Sequence, residues 1–446
     1  MTRVQKVSFL LLLILLVVGG GFWYVTRGQT ATLPMASVVG RTPQIIAPST
    51  ETFPTINIAK PVGWADGQMP TPAAGLSVNL FADGLDHPRW MTRLANGDVL
   101  VAESNKPPAT ESPSLFRRIQ TFFMGRAGAG GASANRITLL RDADGDGRAE
   151  QRSVLLEGLN SPFGMAVVGD TLFVGNTDAL MAYPFRVGQT RIDAPGRRVI
   201  ALPSGTPNNH WTRNVIASPD GSRLYVTVGS NSNIGENGLE SEEGRAVVLE
   251  VDPATGRHRV FTSGLRNPNG LAWEPQTNRL WTVVNERDML GGDLVPDYLA
   301  LVEEGAFYGW PWNYWGGYED KRVQPARPDL REYTRRPDYA LGPHVAALGL
   351  TFAEGAQLGG QFTSGAFIGL HGSWNRKPPS GYKVIYVPFN AGGFPTGAPV
   401  DVLTGFLDED GNARGRPVGV ILDRTGSLLV ADDTGNRIWR VSGRAQ

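Results

Sequence analysis

The chain has 446 residues, 42 basic and 42 acidic side chains, and no cysteine. Zero net charge removes the electrostatic signature of a nucleic-acid binder, so no nucleic-acid partner is expected. Without cysteine there are no disulfides, zinc–thiolate sites or cysteine nucleophile, and 56 glycines with 32 prolines point to many turns rather than long helices.

Val7 to Val25 is a run of uncharged, mostly aliphatic residues, about long enough to cross a ~30 Å hydrocarbon core. Arg3 and Lys6 precede it, and Phe22, Trp23 and Tyr24 sit near its far end. That charge bias places the N-terminus in the cytoplasm and the body outside. Residues 1–27 therefore read as a single-pass anchor in a bacterial cytoplasmic membrane, with the body on the periplasmic side. The competing reading is a cleaved signal peptide, whose apolar run is shorter and is followed closely by a small-residue cleavage site. Residues 28–75 carry Pro34, Pro43, Pro48, Pro54, Pro61, Pro70 and Pro72 and read as an extended tether holding the domain off the membrane, with part of it lying along the domain surface.

From residue 76 onward one pattern recurs. An apolar lead-in, a turn containing Gly, Asp or Asn, and an apolar strand appear at Trp90–Glu103, Phe163–Asn176, Val215–Val228, Gly270–Val283, in degenerate form at Leu348–Leu370, and at Gly419–Asp432. Such turns between apolar runs predict hairpins, and hairpins repeated along a chain predict radial repetition. The fold class is all-β, a six-bladed β-propeller over 76–446. Leu76–Ala82 is predicted to join Asn436–Val441 in the last blade and close the ring, leaving no open sheet edge. Ser112–Met124 interrupts the pattern as a short amphipathic helix with Leu115, Ile119 and Phe122 on one side.

Several loops carry chemistry. Asp142, Asp144 and Asp146 alternate in a glycine-containing turn that suits a hard cation, although the position where an EF-hand requires Glu is Ser153; an acidic hairpin without metal is the alternative. His210, one of five histidines, lies in a polar loop ahead of a strand, and imidazole is the natural general base near neutral pH; a surface or hydrogen-bonded structural histidine is the alternative, and position alone favours it. Arg266-Asn267-Pro268 sets a cation and an amide on a rigid turn, for ligand recognition or as a brace between blades. Glu286, Asp288, Asp293 and Asp297 crowd one loop and make a plausible Ca²⁺ site. The rings of Phe307–Trp315 could stack on a planar cofactor or form a structural corner, and most of them read as core. His371–Lys377, Arg414 and Arg416 add cations from the last two blades, and their convergence would suit a small polyanion.

In this order the segments Asn160–Gly164, Asn209–Arg213, Leu265–Pro268, Asn285–Asp288, Tyr308–Pro311, His371–Trp374 and Arg414–Arg416 resemble the glucose/sorbosone dehydrogenase family over roughly residues 76–442, nearest to its membrane-anchored sorbosone-dehydrogenase-like branch. The resemblance implies a six-bladed propeller that uses pyrroloquinoline quinone (PQQ) with Ca²⁺ to oxidise a sugar or sugar-derived aldehyde, and passes electrons to a quinone or a cytochrome. It implies that His210 is the base and that Arg266 polarises the quinone. Asn267, Asn375, Arg376, Arg414, Arg416 and Ser161 are implied as cofactor contacts. The loop at Arg287 and Asp288 is implied to hold the cofactor's Ca²⁺ by backbone oxygens, and Tyr318 and Asp320 to lie near a second calcium site. One departure is visible. Glucose-oxidising relatives orient the base with an aspartate, and here Ser230 stands at about that place; serine bonds an imidazole but does not stabilise an imidazolium as a carboxylate does. Two rival readings are a lactonase-type hydrolase using metal-bound water, disfavoured by the expected arginine cluster because a lactone is neutral, and a non-catalytic sugar-binding propeller.

Overall fold

A computed structural model describes residues 3–51, 53–108, 125, 131–205 and 207–444. Six antiparallel sheets of at least four strands repeat along the chain. The first four begin with the strands Pro88–Arg93, Met165–Val168, Val215–Ala217 and Asn267–Glu274, the last two with Ala347–Phe352 and Pro417–Leu422. These leading strands of neighbouring blades pack on one another around the axis, so the architecture is the expected six-bladed β-propeller. Each predicted hairpin is the innermost pair of its blade; in the third, Val215 pairs with Val226 and Ala217 with Leu224. The helix expected over Ser112–Met124 falls outside the described residues.

The ring closes as the sequence predicts. Leu76–Ala82 pairs antiparallel with Arg437–Gly443, with Val78 opposite Val441 and Leu80 opposite Trp439. The last blade is thus built from both ends of the propeller and lies beside the first, whose leading strand it packs against. Where inner strands pass closest, only glycine fits. A Cβ on Gly349 would stand 2.2 Å from the Val418 carbonyl oxygen, and one on Gly164 would stand 2.2 Å from the Val215 nitrogen.

Residues 28–75 lie on the propeller as a strap. Thr32 N–H and Oγ1–H and Leu33 N–H all donate to Asp293 Oδ2. Further along, Asn57 N–H donates to Trp374 O, the indole N–H of Trp64 donates to Asp432 Oδ2, and Thr71–Pro72 adds a fifth strand to the fifth blade. Ala59 and Trp64 are buried in the cluster between the fifth and sixth blades. Ahead of the strap, Arg3–Thr26 is a 24-residue helix. The side chains of several of its residues lie outside the described set, and among the described residues no helix is long and apolar enough to cross a membrane.

Gly349→Ala is expected to destabilise the fold by about 3 kcal/mol, at the upper end of ordinary overpacking, because the added methyl meets backbone. The urea midpoint of the variant against the parent checks this.

Candidate active site at the mouth of the channel

In an antiparallel blade, the turns between strands two and three, and the links from strand four to the next blade, lie at the same end. His210 and Arg266 sit in links, Asn285–Asp288 and Gly372–Asn375 in turns, and His344 and Ala346 in a link. All of them therefore gather on one face, where all but Arg287, together with Asn267 and Asp297, line a cavity of about 150 Å³. His344 and Ala346 reach it with φ of +59° and +54°, a backbone region that non-glycine side chains rarely occupy and that concentrates at functional sites.

His210 Nδ1 is 2.9 Å from both the carbonyl oxygen and the Oγ of Ser230, and Ser230 Oγ–H donates to Ser232 O at 2.7 Å. A carbonyl only accepts, and the serine proton is committed elsewhere. Nδ1 must therefore carry the hydrogen, which leaves Nε2 as the basic nitrogen of the ring. Burial, reinforced by the Arg266 charge, holds the imidazole well below its ordinary value, so it is neutral at physiological pH. Ser230 stands where the sequence placed it, and no carboxylate takes over its contact with Nδ1.

Arg266 is fully engaged. Its Nε and Nη2 donate to Asn233 O and Oδ1 at 3.1 and 2.9 Å, Nη1 donates to Glu286 O at 2.6 Å, and Nη2 reaches Asp288 Oδ2 at 3.3 Å. Asp288 also accepts from Asn375 Nδ2 at 2.8 Å and lies 3.3 Å from His344 Nδ1. Burial alone would raise the Asp288 carboxyl, but the His344 bond, Arg266 and Asn375 together hold it far below the carboxylate range. His344 Nε2 faces Gly291 O at 3.1 Å. Burial opposes its charge, yet Asp288 and that carbonyl raise its pKa. Asp297 accepts from the N–H groups of Glu286 and Ala346, both at 2.7 Å, and burial pushes its carboxyl up to about 7. His344 was missed as a site residue in the sequence, because no motif marks it; Asp297, expected as one of four acids in a calcium loop, instead caps two backbone N–H groups at the cavity.

Other expected contacts point elsewhere. Arg376 donates to Gly292 O and Pro378 O and faces the strap. Arg414 bonds Gly405 O and Leu407 O in its own turn. Arg416 donates to Ala59 O at 3.0 Å and lies over the Tyr382 ring. Backbone carbonyls left open by the strap and turns draw these guanidinium groups away from the cavity. Ser161 is buried between the first two blades, its N–H donating to Asn135 Oδ1, and does not line the cavity. His371 pairs with Asp433 at 2.9 Å, beside Arg89 and His87, and burial pushes it down to about 4.

The positions expected to hold a cation hold guanidinium groups. Arg287 is wholly buried between Glu286 and Asp320, at 3.0 and 3.3 Å, and donates to Pro311 O and Asn313 O. Arg322 grips Asp320 with two nitrogens and donates to the carbonyls of Asp288 and Met289. Tyr318 is half exposed and stacks on Tyr314. Most of the neighbouring rings are core, as expected: Tyr308, Trp310, Tyr314 and Trp315 are buried. Asp142, Asp144 and Asp146, with Glu150, bring carboxylate oxygens within 4.8 Å of one another, but in a turn between the third and fourth strands of the first blade, at the end opposite the cavity.

His210 and Arg266 thus stand together on the wall of one cavity at the channel mouth. Two family models match: "Glucose / Sorbosone dehydrogenase" over residues 175–371 and "TrAA12-like" over 329–444. Over residues 175–371 the chain is thus similar to the glucose/sorbosone dehydrogenase family. It is 29% identical over 298 residues to the pyrroloquinoline quinone-dependent pyranose dehydrogenase of Coprinopsis cinerea, a match taking in 52% of this chain and 40% of that protein. It is 29% identical over 241 residues to an uncharacterised protein of Borreliella burgdorferi, covering 54% of this chain and 62% of that one. The chain thus spans less than two thirds of the length of these relatives. In fold it is similar to a Trichoderma reesei enzyme of family AA12, with a TM-score of 0.68 at 20% identity over 87% of this chain and 99% of the other.

Two outcomes follow from this geometry. Arg287→Met, which leaves Glu286 and Asp320 without their buried partner, is expected to cost about 3–5 kcal/mol of stability, read by chemical denaturation. Because the His344 pKa is raised on folding, its stabilisation is complete below the unfolded value near 6.5 and is lost as pH rises through the folded value. Melting temperatures between pH 6 and 9 should therefore fall more steeply in the parent than in His344→Gln, in which Asp297 leaves a residual slope up to about pH 7.

Proposed function

We propose that this protein is a PQQ-dependent dehydrogenase that oxidises a sugar hydroxyl, or the hydrate of a sugar-derived aldehyde, at the extracytoplasmic face of a membrane. The observation that carries the reading is His210, held as a neutral Nδ1–H tautomer on the cavity wall beside the Arg266 guanidinium. Support for the cofactor comes from a relative named as PQQ-dependent and from the cavity itself. Asn267 Oδ1 is buried in the wall without a partner, next to Arg266 and Asn375, and these groups would face the quinone edge. The oxygens of Asp288, Met289 and Asp320 already accept guanidinium or amide protons and do not fit a divalent cation, so the proposal gives calcium no place in that loop.

PQQ, when bound, supplies an electrophilic quinone carbonyl that takes up a hydride. The chain's own contribution is proton handling and orientation. His210 Nε2 accepts the hydroxyl proton, and the Ser230 carbonyl and hydroxyl share the positive charge that then develops on the ring. Arg266, fixed by five bonds or contacts, presents a cation that needs no reorganisation during the reaction. A base of lowered pKa is matched best to an acidic proton, which favours a hemiacetal or aldehyde-hydrate hydroxyl over an ordinary alcohol. Electrons then pass to a quinone or a cytochrome.

Calorimetric titration with PQQ, with and without Ca²⁺, tests binding, and dye-linked sugar oxidation tests turnover. His210→Ala is expected to keep PQQ affinity and lose about 10²–10⁴-fold in turnover. Since the imidazole is already neutral, kcat/KM is expected to stay flat from pH 7.5 down through 6.5. Absence of PQQ binding under both conditions overturns the proposal.

A further inference from the structure

The helix Arg3–Thr26 exposes apolar side chains around its circumference, with Phe9 and each residue from Leu12 to Val18 between 48 and 68% exposed. A helix apolar on all sides requires an apolar environment, and the propeller does not provide one. The chain leaving this helix has no slack. Lys377 Nζ donates to Arg27 O at 3.0 Å, Gln29 N–H to Thr55 Oγ1 at 2.7 Å, and Ala31 N–H to Lys377 O at 2.7 Å.

Those contacts lie beside the cavity. Lys377 is two residues from Asn375, and Asn57, two residues beyond Thr55, donates to Trp374 O at 2.8 Å; Trp374 and Asn375 both line the cavity. The strap over this face also presents Phe53, Ile56, Val62 and Met69 at 37–57% exposure, more apolar surface than an extended polar tether requires.

We infer that the face of the propeller carrying the cavity rests against a lipid bilayer, with the strap as its contact surface rather than a spacer. This rests on the membrane placement proposed above. It requires that the helix enter lipid, not that it span it. The apolar helix and the apolar side chains of the strap then meet one medium, and Gln29 bonded to Thr55 fixes their relation. The consequence is a cavity mouth within a few residues of the lipid surface, so the electron acceptor it suits is a lipid-soluble or membrane-embedded one.

Because the chain has no cysteine, single thiols report position cleanly. Full-length Phe53→Cys and Val62→Cys, with Val187→Cys and Val260→Cys as controls on exposed positions away from the strap, are labelled with a small fluorophore and reconstituted into phosphatidylcholine vesicles containing nitroxide-labelled lipid. Several-fold stronger quenching at 53 and 62 than at 187 and 260 is the expected result. Equal quenching at all four positions, or energy transfer between differently labelled copies at position 62 without lipid quenching, overturns the inference in favour of a random orientation or a second copy. Flotation of the unmodified chain with the vesicles separates the two layers. A chain that floats without selective quenching refutes only the orientation, whereas one that does not float refutes membrane placement as well. No PQQ is present, so the outcome is independent of the redox reading.

Discussion

Asp288 is a nearly buried carboxylate reached by groups from three separate places on the ring: Arg266 from the link between the third and fourth blades, His344 from the link between the fourth and fifth, and Asn375 from the fifth blade. Each partner lies on a loop that by itself could adopt many conformations. Gathering two cations and an amide around one charge selects the arrangement in which the loops meet, because an unpaired carboxylate or guanidinium at this depth is strongly unfavourable. The cavity is the space left between these partners and His210. Its shape therefore depends on that carboxylate more than on any apolar packing.

The framework was legible in the sequence because it is written locally. Turn residues between apolar runs specify hairpins over a dozen positions, and both halves of the closing blade carry strand patterns that stand out alone. His210 and Arg266 were singled out through the family resemblance, their loops alone leaving structural roles open, and both line the cavity. What was hidden is side-chain direction. Arg416 finds its acceptor in Ala59, 357 positions earlier, and Arg376 faces a glycine carbonyl of another blade. No local pattern reveals which carbonyls the strap leaves open. The same reason conceals His344, whose significance lies wholly in the Asp288 and Gly291 oxygens brought to it.

The redirected arginines also change how rival readings weigh. An array of guanidinium groups around the channel would have disfavoured a neutral ligand, and three of the four arginines in question do not face the cavity. The case against lactone hydrolysis now rests on different ground. Hydrolysis of that kind calls for a metal-bound water at the channel, and the one cluster of carboxylates suited to a metal among the described residues is at the opposite end of the blades. His210 beside the fixed Arg266 cation is what carries the redox reading proposed above.

The final sheet contains one strand from near the start of the propeller sequence and three from its end. During synthesis, Leu76–Ala82 emerges long before its hydrogen-bonding partner, Arg437–Gly443. Until then an apolar strand keeps its backbone donors and acceptors unpaired, and the first and last blades lack their shared contact. Contacts this distant in sequence slow folding and prolong exposure of sticky edges. Closure of the ring thus waits on a distant downstream segment, and a nascent chain that has not yet reached Arg437–Gly443 would be a substrate for chaperones rather than a closed propeller.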